Sequence, residues 1–266
     1  MEVNKIYCCD CLNGLKEISD ETIDMVLTSP PYDNLRTYNG YSFDFEGIAK
    51  EIYRVMKQGG VVVWVVNDAT INRSESGTSF KQALYFKEIG FNLYDTMIWR
   101  KDTFTYPDPT RYRQCFEYMF VLSKGKPKTF NPIEDVKNKY VGTEIHGNSR
   151  GVDGVMSKKS NSGNLIKEYG IRYNVWELNG EKNNLFNHPA PFPEQLAQDH
   201  IITWSNKGDI VLDPFMGSGT TAKMCIKTDR QYIGFEISKE YCEMAEKRLQ
   251  DQFYQLDLLD DYQTTE

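Results

Sequence analysis

Hydrophobic residues along this chain occur in two kinds of run, which predict alternating strands and helices. The β-branched run VVVWVV at residues 61–66 is too continuous for a surface strand and indicates a strand covered on both faces. Residues 45–56 instead carry apolar side chains at helical spacing, and we expect that helix to end at Gln58-Gly59-Gly60. The predicted strands are residues 24–27, 61–66, 91–99, 115–123, 209–213 and 231–236, and the predicted helices are residues 45–56, 79–89, 220–228 and 238–250. This alternation is typical of an α/β fold with a parallel sheet covered by helices on both faces.

Residues 131–186 break the pattern. They are rich in Asn, Gly, Ser and Lys and have weak periodicity, which indicates an irregular, exposed insertion that is either functional or disordered. A chain of 266 residues suits one sizeable domain. We therefore expect a single catalytic domain, residues 1–266, that carries the insertion within it.

The charge is distributed unevenly, and this changes what the composition implies. The net charge of −7 argues at first against a nucleic-acid partner. Residues 100–182, however, contain 15 Lys and Arg against 10 Asp and Glu, whereas the rest of the chain contains 16 against 28. A basic middle within an acidic frame favours a localised anionic partner, although charges also cluster by chance in solvated loops.

Other features of the composition indicate a cytoplasmic protein without a metal site. No apolar run reaches the roughly 18 residues that a membrane span needs, and the N-terminus lacks the apolar core of a signal peptide. Cys8, Cys9 and Cys11 cluster, but the second cysteine pair of a zinc site is missing. We expect reduced thiols, no metal and no membrane contact.

A glycine-rich motif between a predicted strand and a predicted helix is the clearest candidate for a ligand site. It consists of Asp213, Pro214, Phe215, Met216, Gly217, Ser218, Gly219 and Thr220. Gly217 and Gly219 allow positive φ and close approach of a ligand to the backbone, and free N–H groups at the helix start favour an anionic group. Glu236 ends the next predicted strand, where a carboxylate can accept both ribose hydroxyls. The third glycine of a dinucleotide motif and the Lys of a P-loop are absent, so a nucleoside without pyrophosphate is favoured, and S-adenosylmethionine fits.

A second motif, Ser29-Pro30-Pro31-Tyr32, directly follows the predicted strand 24–27. The prolines fix φ and lack N–H donors, so the loop is rigid and the Pro30 carbonyl can accept a hydrogen bond. The Ser29 hydroxyl and this carbonyl can together accept both protons of an exocyclic amino group, and Tyr32 can stack on a base drawn out of a duplex. A structural Pro-Pro turn explains this motif equally well when it is considered alone.

Together the two motifs resemble those of the β-group DNA amino-methyltransferases of bacterial and phage modification systems. That family has [DNS]-P-P-[YFW] early in the chain and its glycine motif late, which is the order found here. The resemblance implies a Rossmann-like, doubly wound α/β fold with a mixed sheet, circularly permuted relative to most methyltransferases. It also implies that residues 131–186 recognise the target.

The resemblance assigns S-adenosyl-L-methionine as the cofactor and extends its site beyond the glycine motif. Asp10 corresponds to the residue that contacts the cofactor's adenine, Glu236 to the ribose-binding acid, and residues 187–196 to a segment beside the methionine end. The implied cofactor residues are Asp10, Cys11, Phe192, Asp213, Pro214, Phe215, Gly217, Ser218, Gly219, Thr220, Glu236 and Ile237.

The expected reaction is direct methyl transfer to an amino group of double-stranded DNA. Ser29 occupies a position where Ser is commoner among cytosine-N4 enzymes and Asp among adenine-N6 enzymes, so cytosine-N4 is favoured and adenine-N6 is the alternative. Cytosine-C5 chemistry needs a nucleophilic cysteine, typically after proline, and no proline here precedes cysteine. An RNA or protein amino-methyltransferase and a non-catalytic DNA-binding subunit are further alternatives.

Contacts with the DNA backbone are expected from arginines near the catalytic loop and in the basic middle. The candidates are Arg36, Arg111 and Arg113, for which a solvated position is equally consistent with the sequence. A cognate restriction endonuclease and a homodimer are further partners that the resemblance allows.

Overall fold

The computed structural model describes residues 1–31, 43–102, 109–179 and 193–263, with side chains of the last helix as far as Gln252. Its helices are α1 (Cys11–Lys16), α2 (Phe45–Val55), α3 (Thr78–Glu88), α4 (Glu194–Trp204), α5 (Thr220–Lys227) and α6 (Lys239–Gln263). Its strands are β1 (Lys5–Cys8), β2 (Ile23–Thr28), β3 (Met56–Val66), β4 (Thr70–Ile71), β5 (Ser74–Glu75), β6 (Asn92–Arg100), β7 (Phe116–Ser123), β8 (Glu134–Lys137), β9 (Asn148–Arg150), β10 (Met156–Lys158), β11 (Tyr169–Ile171), β12 (Val175–Glu177), β13 (Ile210–Asp213) and β14 (Gln231–Glu236).

An eight-stranded sheet in the order β1-β14-β13-β2-β3-β7-β6-β12 organises the larger part of the chain. Within it β7 runs antiparallel to β3 and to β6, and every other neighbouring pair is parallel. The late strands β13 and β14 lie between the early strands β1 and β2, so the two ends of the chain build one half of the sheet together. The predicted α/β fold with a mixed, doubly wound sheet is confirmed.

The hydrophobic core lies on both faces of this sheet. Alternate residues of β3 enter opposite layers: Val63 belongs to one buried cluster, and Trp64 to the other. Helices α4, α5 and α6 supply the first cluster and α1, α2 and α3 the second. This explains why residues 61–66 are apolar without interruption, since neither face of a doubly covered strand meets water.

One boundary predicted from the sequence is wrong. Helix α2 ends at Val55, because Met56 already has an extended backbone, and Gln58-Gly59-Gly60 lies inside β3. There the partners of Ile23 and Met25 on β3 are Met56 and Val61, so the glycine segment forms a bulge. Gly59 has φ +80, and a Cβ on Gly60 would lie 2.5 Å from Met56 Cε. These glycines therefore allow the bulge in β3 and do not end a helix.

The remaining predicted elements are confirmed within a few residues at their ends, except that α6 continues well beyond residue 250. The Ser238 hydroxyl accepts a hydrogen bond from the Tyr241 N–H at 3.4 Å, the geometry of an N-cap at the start of α6. Within the described ranges no helix is long and apolar enough to cross a bilayer.

The chain divides into two compact units, one formed by Met1–Asn131 with Asn174–Glu266 and the other by Pro132–Tyr173. The second unit contains two antiparallel ribbons, β8 with β11 and β9 with β10. None of its residues is buried, so hydrogen bonding and not an apolar core maintains its shape.

Residues 174–179 belong to the first unit, although they lie within the stretch 131–186 that the pattern predicts to be irregular. Strand β12 pairs with β6 in parallel, and the buried Trp176 ring stacks on His200 with centroids 4.4 Å apart. One aromatic residue in a three-residue strand leaves too little periodicity to be recognised in the sequence.

Candidate active site

Four loops meet at one edge of the sheet, because the strands that precede them are parallel. Pairing places Cys8 beside Glu236 and Asp213 beside Gly234, at the carboxyl ends of β1, β14 and β13. Strand β2 ends next to them at Thr28. In open α/β sheets this edge is where ligands bind, and both motifs singled out in the sequence lie on it.

The glycine loop has the backbone conformation that its sequence predicts. Gly217 and Gly219 have φ +51 and +83, in the left-handed region that favours glycine. The Met216 N–H donates to the Phe235 carbonyl at 2.8 Å, which ties the loop to β14. A Cβ on Gly219 would lie 3.0 Å from Ala245 Cβ, so this residue also allows α6 to pack closely. Helix α5 then begins at Thr220, with its N-terminus at the site edge.

Asp213 connects the two motifs. Its Oδ1 accepts hydrogen bonds from the Thr28 hydroxyl at 2.6 Å and the Phe215 N–H at 3.0 Å, and its Oδ2 accepts one from the Thr221 hydroxyl at 2.6 Å. Burial raises the pKa of Asp213 to about 6, against the opposing effect of these hydrogen bonds. The carboxylate thus joins the end of β2, directly before Ser29, to the glycine loop and to α5.

Glu236 and Asp10 provide carboxylates with acceptor sites to spare. The Gly217 N–H donates to Glu236 Oε2 at 2.8 Å and the Ser238 N–H to Oε1 at 2.9 Å. A carboxylate has about four lone-pair sites, so these donors leave acceptor capacity on Glu236. Burial raises the pKa of Glu236, against the backbone hydrogen bonds. Asp10 caps α1 through Oδ1, which accepts from the Asn13 N–H at 3.0 Å, while Oδ2 has no hydrogen-bond partner among the described residues.

Among the other predicted cofactor residues, some are partly exposed and some are buried in the core. Ile237 is half-buried and follows Glu236, whereas Cys11 is buried at the start of α1, and burial raises the pKa of its thiol to about 12. Pro214 is buried, and the Phe215 ring meets Phe43 edge-on with centroids 5.6 Å apart. Phe192 lies outside the described residues. Among those described, no group of His, Cys, Asp or Glu could hold a metal ion.

The catalytic motif is described as far as its second proline. Ser29 and Pro31 are half-buried and Pro30 is buried. This loop starts beside Asp213, because Thr28, the residue before Ser29, donates a hydrogen bond to that carboxylate. Tyr32 and Arg36 lie outside the described residues, so their predicted roles rest on the sequence.

Arg111 and Arg113 precede β7, whose N-terminal end lies at the same edge of the sheet as the glycine loop because β7 runs in reverse. Both are exposed. The Arg111 guanidinium donates to the Thr70 hydroxyl at 3.1 Å and to the Arg73 carbonyl at 2.8 Å. It thus supports the β4–β5 hairpin.

Arg248 is a site residue that sequence reasoning missed. From α6 its Nη1 donates to the Ser218 carbonyl and to the Thr220 hydroxyl at 3.2 and 3.0 Å, while Nη2 donates to Glu194 at 2.6 Å. Lys223 also reaches Glu194, at 2.5 Å. Burial raises the pKa of Glu194, but hydrogen bonds and charge from Lys223 and Arg248 outweigh it, and the net pKa is lowered. An arginine on a helix of mixed polarity carries no local signal of this role.

Solved structures share this architecture. The crystal structure of the M1.HpyAVI–SAM complex has 25% sequence identity and a TM-score of 0.63, covering 92% of this chain and 98% of the other. The PvuII DNA methyltransferase (cytosine-N4-specific), at 20% identity, shares the fold with a TM-score of 0.66 over 94% of this chain and 91% of its own. The fold and the site define an S-adenosylmethionine-dependent methyltransferase.

Sequence comparison gives the family. Residues 23–247 match the N6/N4 methyltransferase family described as DNA methylase. The orphan methyltransferase M.BamHII of Bacillus amyloliquefaciens is 59% identical over 242 residues, covering 88% of this chain and 91% of the relative. The DNA adenine methyltransferase YhdJ of Escherichia coli (strain K12) is 28% identical over 93% of this chain and 83% of its own. The chain belongs to the DNA methylase family, and the resemblance drawn from its motifs is confirmed.

Proposed function

We propose that this DNA methylase transfers a methyl group from S-adenosylmethionine to N4 of a cytosine in double-stranded DNA. The observation that carries the proposal is the 2.6 Å hydrogen bond from the Thr28 hydroxyl to Asp213, because it fixes the catalytic motif against the glycine loop. A methyl donor held by one loop is thereby next to a loop of hydrogen-bond acceptors suited to an amino group.

The cofactor assignment is supported by the acceptors and the backbone at the sheet edge. Glu236 would accept the ribose hydroxyls, and Asp10 Oδ2 the adenine amino group. The loop of Gly217, Ser218 and Gly219 would lie against the ligand, with the N-terminus of α5 behind it. Asp213, whose oxygens already have three donors, would position the loop. When bound, S-adenosylmethionine supplies an electrophilic methyl group on its sulfonium.

The catalytic residues would act by orientation and electrostatics. The Ser29 hydroxyl and the Pro30 carbonyl would accept the two amino protons, direct the nitrogen lone pair to the methyl group and stabilise the positive charge that develops on nitrogen. Pro31 keeps the loop rigid. Tyr32, assigned from the sequence, would stack on a base that has left the duplex.

Ser29 is the basis for preferring cytosine-N4 over adenine-N6. The solved PvuII neighbour is named cytosine-N4-specific, whereas the YhdJ relative is named an adenine enzyme, so adenine-N6 is the second candidate. A Ser hydroxyl and an Asp carboxylate can each accept an amino proton, and the preference therefore rests on family association.

The contacts with the DNA backbone and the further partners in this proposal differ in their support. Arg36, Arg111 and Arg113 would contact phosphates, since Arg111 and Arg113 lie at the edge where the target base must enter. M.BamHII is named an orphan methyltransferase, which favours a methylase without a dedicated endonuclease. A homodimer and one catalytic domain with a target-recognition insertion at residues 131–186 remain part of the proposal.

The experiment is methyl transfer from labelled S-adenosylmethionine to unmethylated duplex DNA, followed by mass spectrometry of the nucleosides. N4-methylcytosine is the expected product. N6-methyladenine would keep the chemistry and overturn the choice of base. If the cofactor binds and no methylated nucleoside forms, DNA is the wrong substrate, and RNA and protein acceptors are tested next.

A further inference from the structure

The β9–β10 ribbon of the second unit is exposed on both faces. All six of its strand residues are exposed, and the nearby apolar side chains of Val152 and Val155 are exposed as well. An isolated two-stranded ribbon buries little surface and gains little stability in water. Binding in the groove of a partner explains such a ribbon better than packing within the protein does.

The register of the ribbon separates its side chains into two chemically different faces. Arg150 pairs with Met156, Ser149 with Ser157, and Asn148 with Lys158. Because side chains alternate along a strand, Asn148, Arg150, Met156 and Lys158 share one face, and the two serines share the other. One face thus carries long side chains that are rich in hydrogen-bond donors. The other face carries short, uncharged side chains.

The donor-rich face has the side chains that read bases in a major groove. Arg or Lys can donate to the O6 and N7 of guanine, Asn makes a bidentate pair with adenine, and an apolar group such as that of Met156 can contact the thymine methyl. The major groove, about 12 Å wide, admits a two-stranded ribbon. Arg150, Lys158 and Lys159 against the single acid Asp153 make residues 148–159 net positive, which suits a polyanion.

The turn of the ribbon is fixed before any partner binds. The Gly151 N–H donates to the Val155 carbonyl at 2.9 Å, and the Val155 N–H donates to the Asp153 side chain at 3.0 Å. Arg150 Nε donates to the Gly154 carbonyl at 3.2 Å, and its two Nη atoms make no hydrogen bond to another described residue. The guanidinium is therefore oriented through Nε and keeps the pair of donors that a guanine edge requires.

We propose that the β9–β10 ribbon enters the major groove of the DNA target and that Asn148 and Arg150 read base edges there. The inference rests on the proposed function, because it takes duplex DNA as the substrate. It adds to that function the element and the residues that select the sequence.

The test uses full-length variants and a duplex library randomised around the methylated base. Arg150→Ala and Asn148→Ala are compared with Arg150→Lys, which keeps the charge and loses the planar fork, and with Lys207→Ala as a matched control. Lys207 is an exposed lysine outside the insertion, paired with Asp229 at 2.7 Å. Methylated sequences, kcat/KM on the preferred duplex, cofactor binding and sedimentation are measured for each variant.

We expect Arg150→Ala and Asn148→Ala to lower kcat/KM on the preferred duplex about 10- to 100-fold and each to relax selection at a particular base position. Arg150→Lys should also lose discrimination, and Lys207→Ala should match the wild type. Cofactor affinity should not change in any of the four variants.

Three results would overturn the inference. Unchanged sequence selection in both alanine variants would exclude base reading by the ribbon. A uniform loss across all sequences, with full rescue by Arg150→Lys, would make Arg150 a phosphate contact. A changed oligomeric state in the variants would assign the surface to a second copy of the chain. If the wild type methylates no duplex at all, the proposed function fails and the ribbon inference falls with it; in the other cases only the inference fails.

Discussion

At the scale of single residues, Asp213 is the residue that joins the two motifs. It is buried, it accepts from two hydroxyls and one N–H, and it links Thr28 to the glycine loop and α5. A buried carboxylate needs such donors, because each compensates for part of the lost hydration. Burial still exceeds this compensation, since the pKa remains raised, to about 6.

This pKa predicts a pH dependence of stability. Because the folded pKa lies above the unfolded value of 3.8, the folded state binds more protons between these values. The resulting stability is fully present below about pH 3.8 and is lost as pH rises through about 6, by up to about 3 kcal/mol. Urea unfolding between pH 4 and 7.5 should therefore show a steeper fall for the wild type than for Asp213→Asn. Parallel curves for the two proteins would contradict the assignment.

At the scale of elements, α6 is more than a cover for the sheet. Its Arg248 donates to the glycine loop and to Glu194 at the start of α4, so two segments distant in sequence have one common partner. Such an arrangement restricts the conformations of the loop before a ligand binds, and this reduces the entropy lost on binding.

Arg248→Met should lower the free energy of unfolding by about 2 kcal/mol and weaken S-adenosylmethionine binding, because Glu194 loses one cation and the Ser218 carbonyl loses a donor. The loss is smaller than for a fully buried pair, since Glu194 is partly exposed and keeps Lys223. Urea denaturation and calorimetric titration of the cofactor measure the two effects.

Lys239→Met is the control on the same helix. Lys239 is exposed and lies 3.7 Å from Glu243, a surface pair whose loss should change stability by less than about 0.5 kcal/mol. An Arg248→Met protein that matches this control in both measurements would show that the network does not position the loop.

The elements also show how far the sequence could predict this molecule. Strands such as β3 and β14 follow from apolar runs, and the left-handed Gly217 and Gly219 follow from the conformation that only glycine adopts readily. The bulge at Gln58-Gly59-Gly60 was not predictable, because glycine ends helices and bends strands alike. Arg248 and Trp176 gain their roles from partners distant in the chain, which local patterns do not contain.

At the scale of the whole molecule, the two compact units divide the core from the exposed ribbons. Both hydrophobic clusters belong to Met1–Asn131 with Asn174–Glu266, as do the glycine loop and the described part of the catalytic motif. The second unit, Pro132–Tyr173, has no buried residue. Folding and cofactor binding should therefore depend on the first unit, and selection of DNA on the second.

Replacing residues 132–173 with a flexible Gly-Ser linker should leave a folded protein that binds S-adenosylmethionine with nearly the affinity of the full chain. Methyl transfer to specific duplex sites should be abolished. Circular dichroism, cofactor titration and the methylation assay measure these properties. A shortened protein that retains sequence-specific methylation would contradict the division of roles.

The central claim is that the motif after β2 performs the chemistry while the motif after β13 holds the cofactor. Single-turnover methyl transfer to duplex DNA, together with the Kd of S-adenosylmethionine, tests this most directly in Ser29→Ala and Glu236→Gln. For Ser29→Ala we predict a methyl-transfer rate lower by about 100-fold or more with an unchanged Kd, because the amino group loses an acceptor while the glycine loop and Glu236 are unchanged. For Glu236→Gln we predict mainly a weaker Kd. An equal loss of rate and cofactor affinity in Ser29→Ala would contradict the claim.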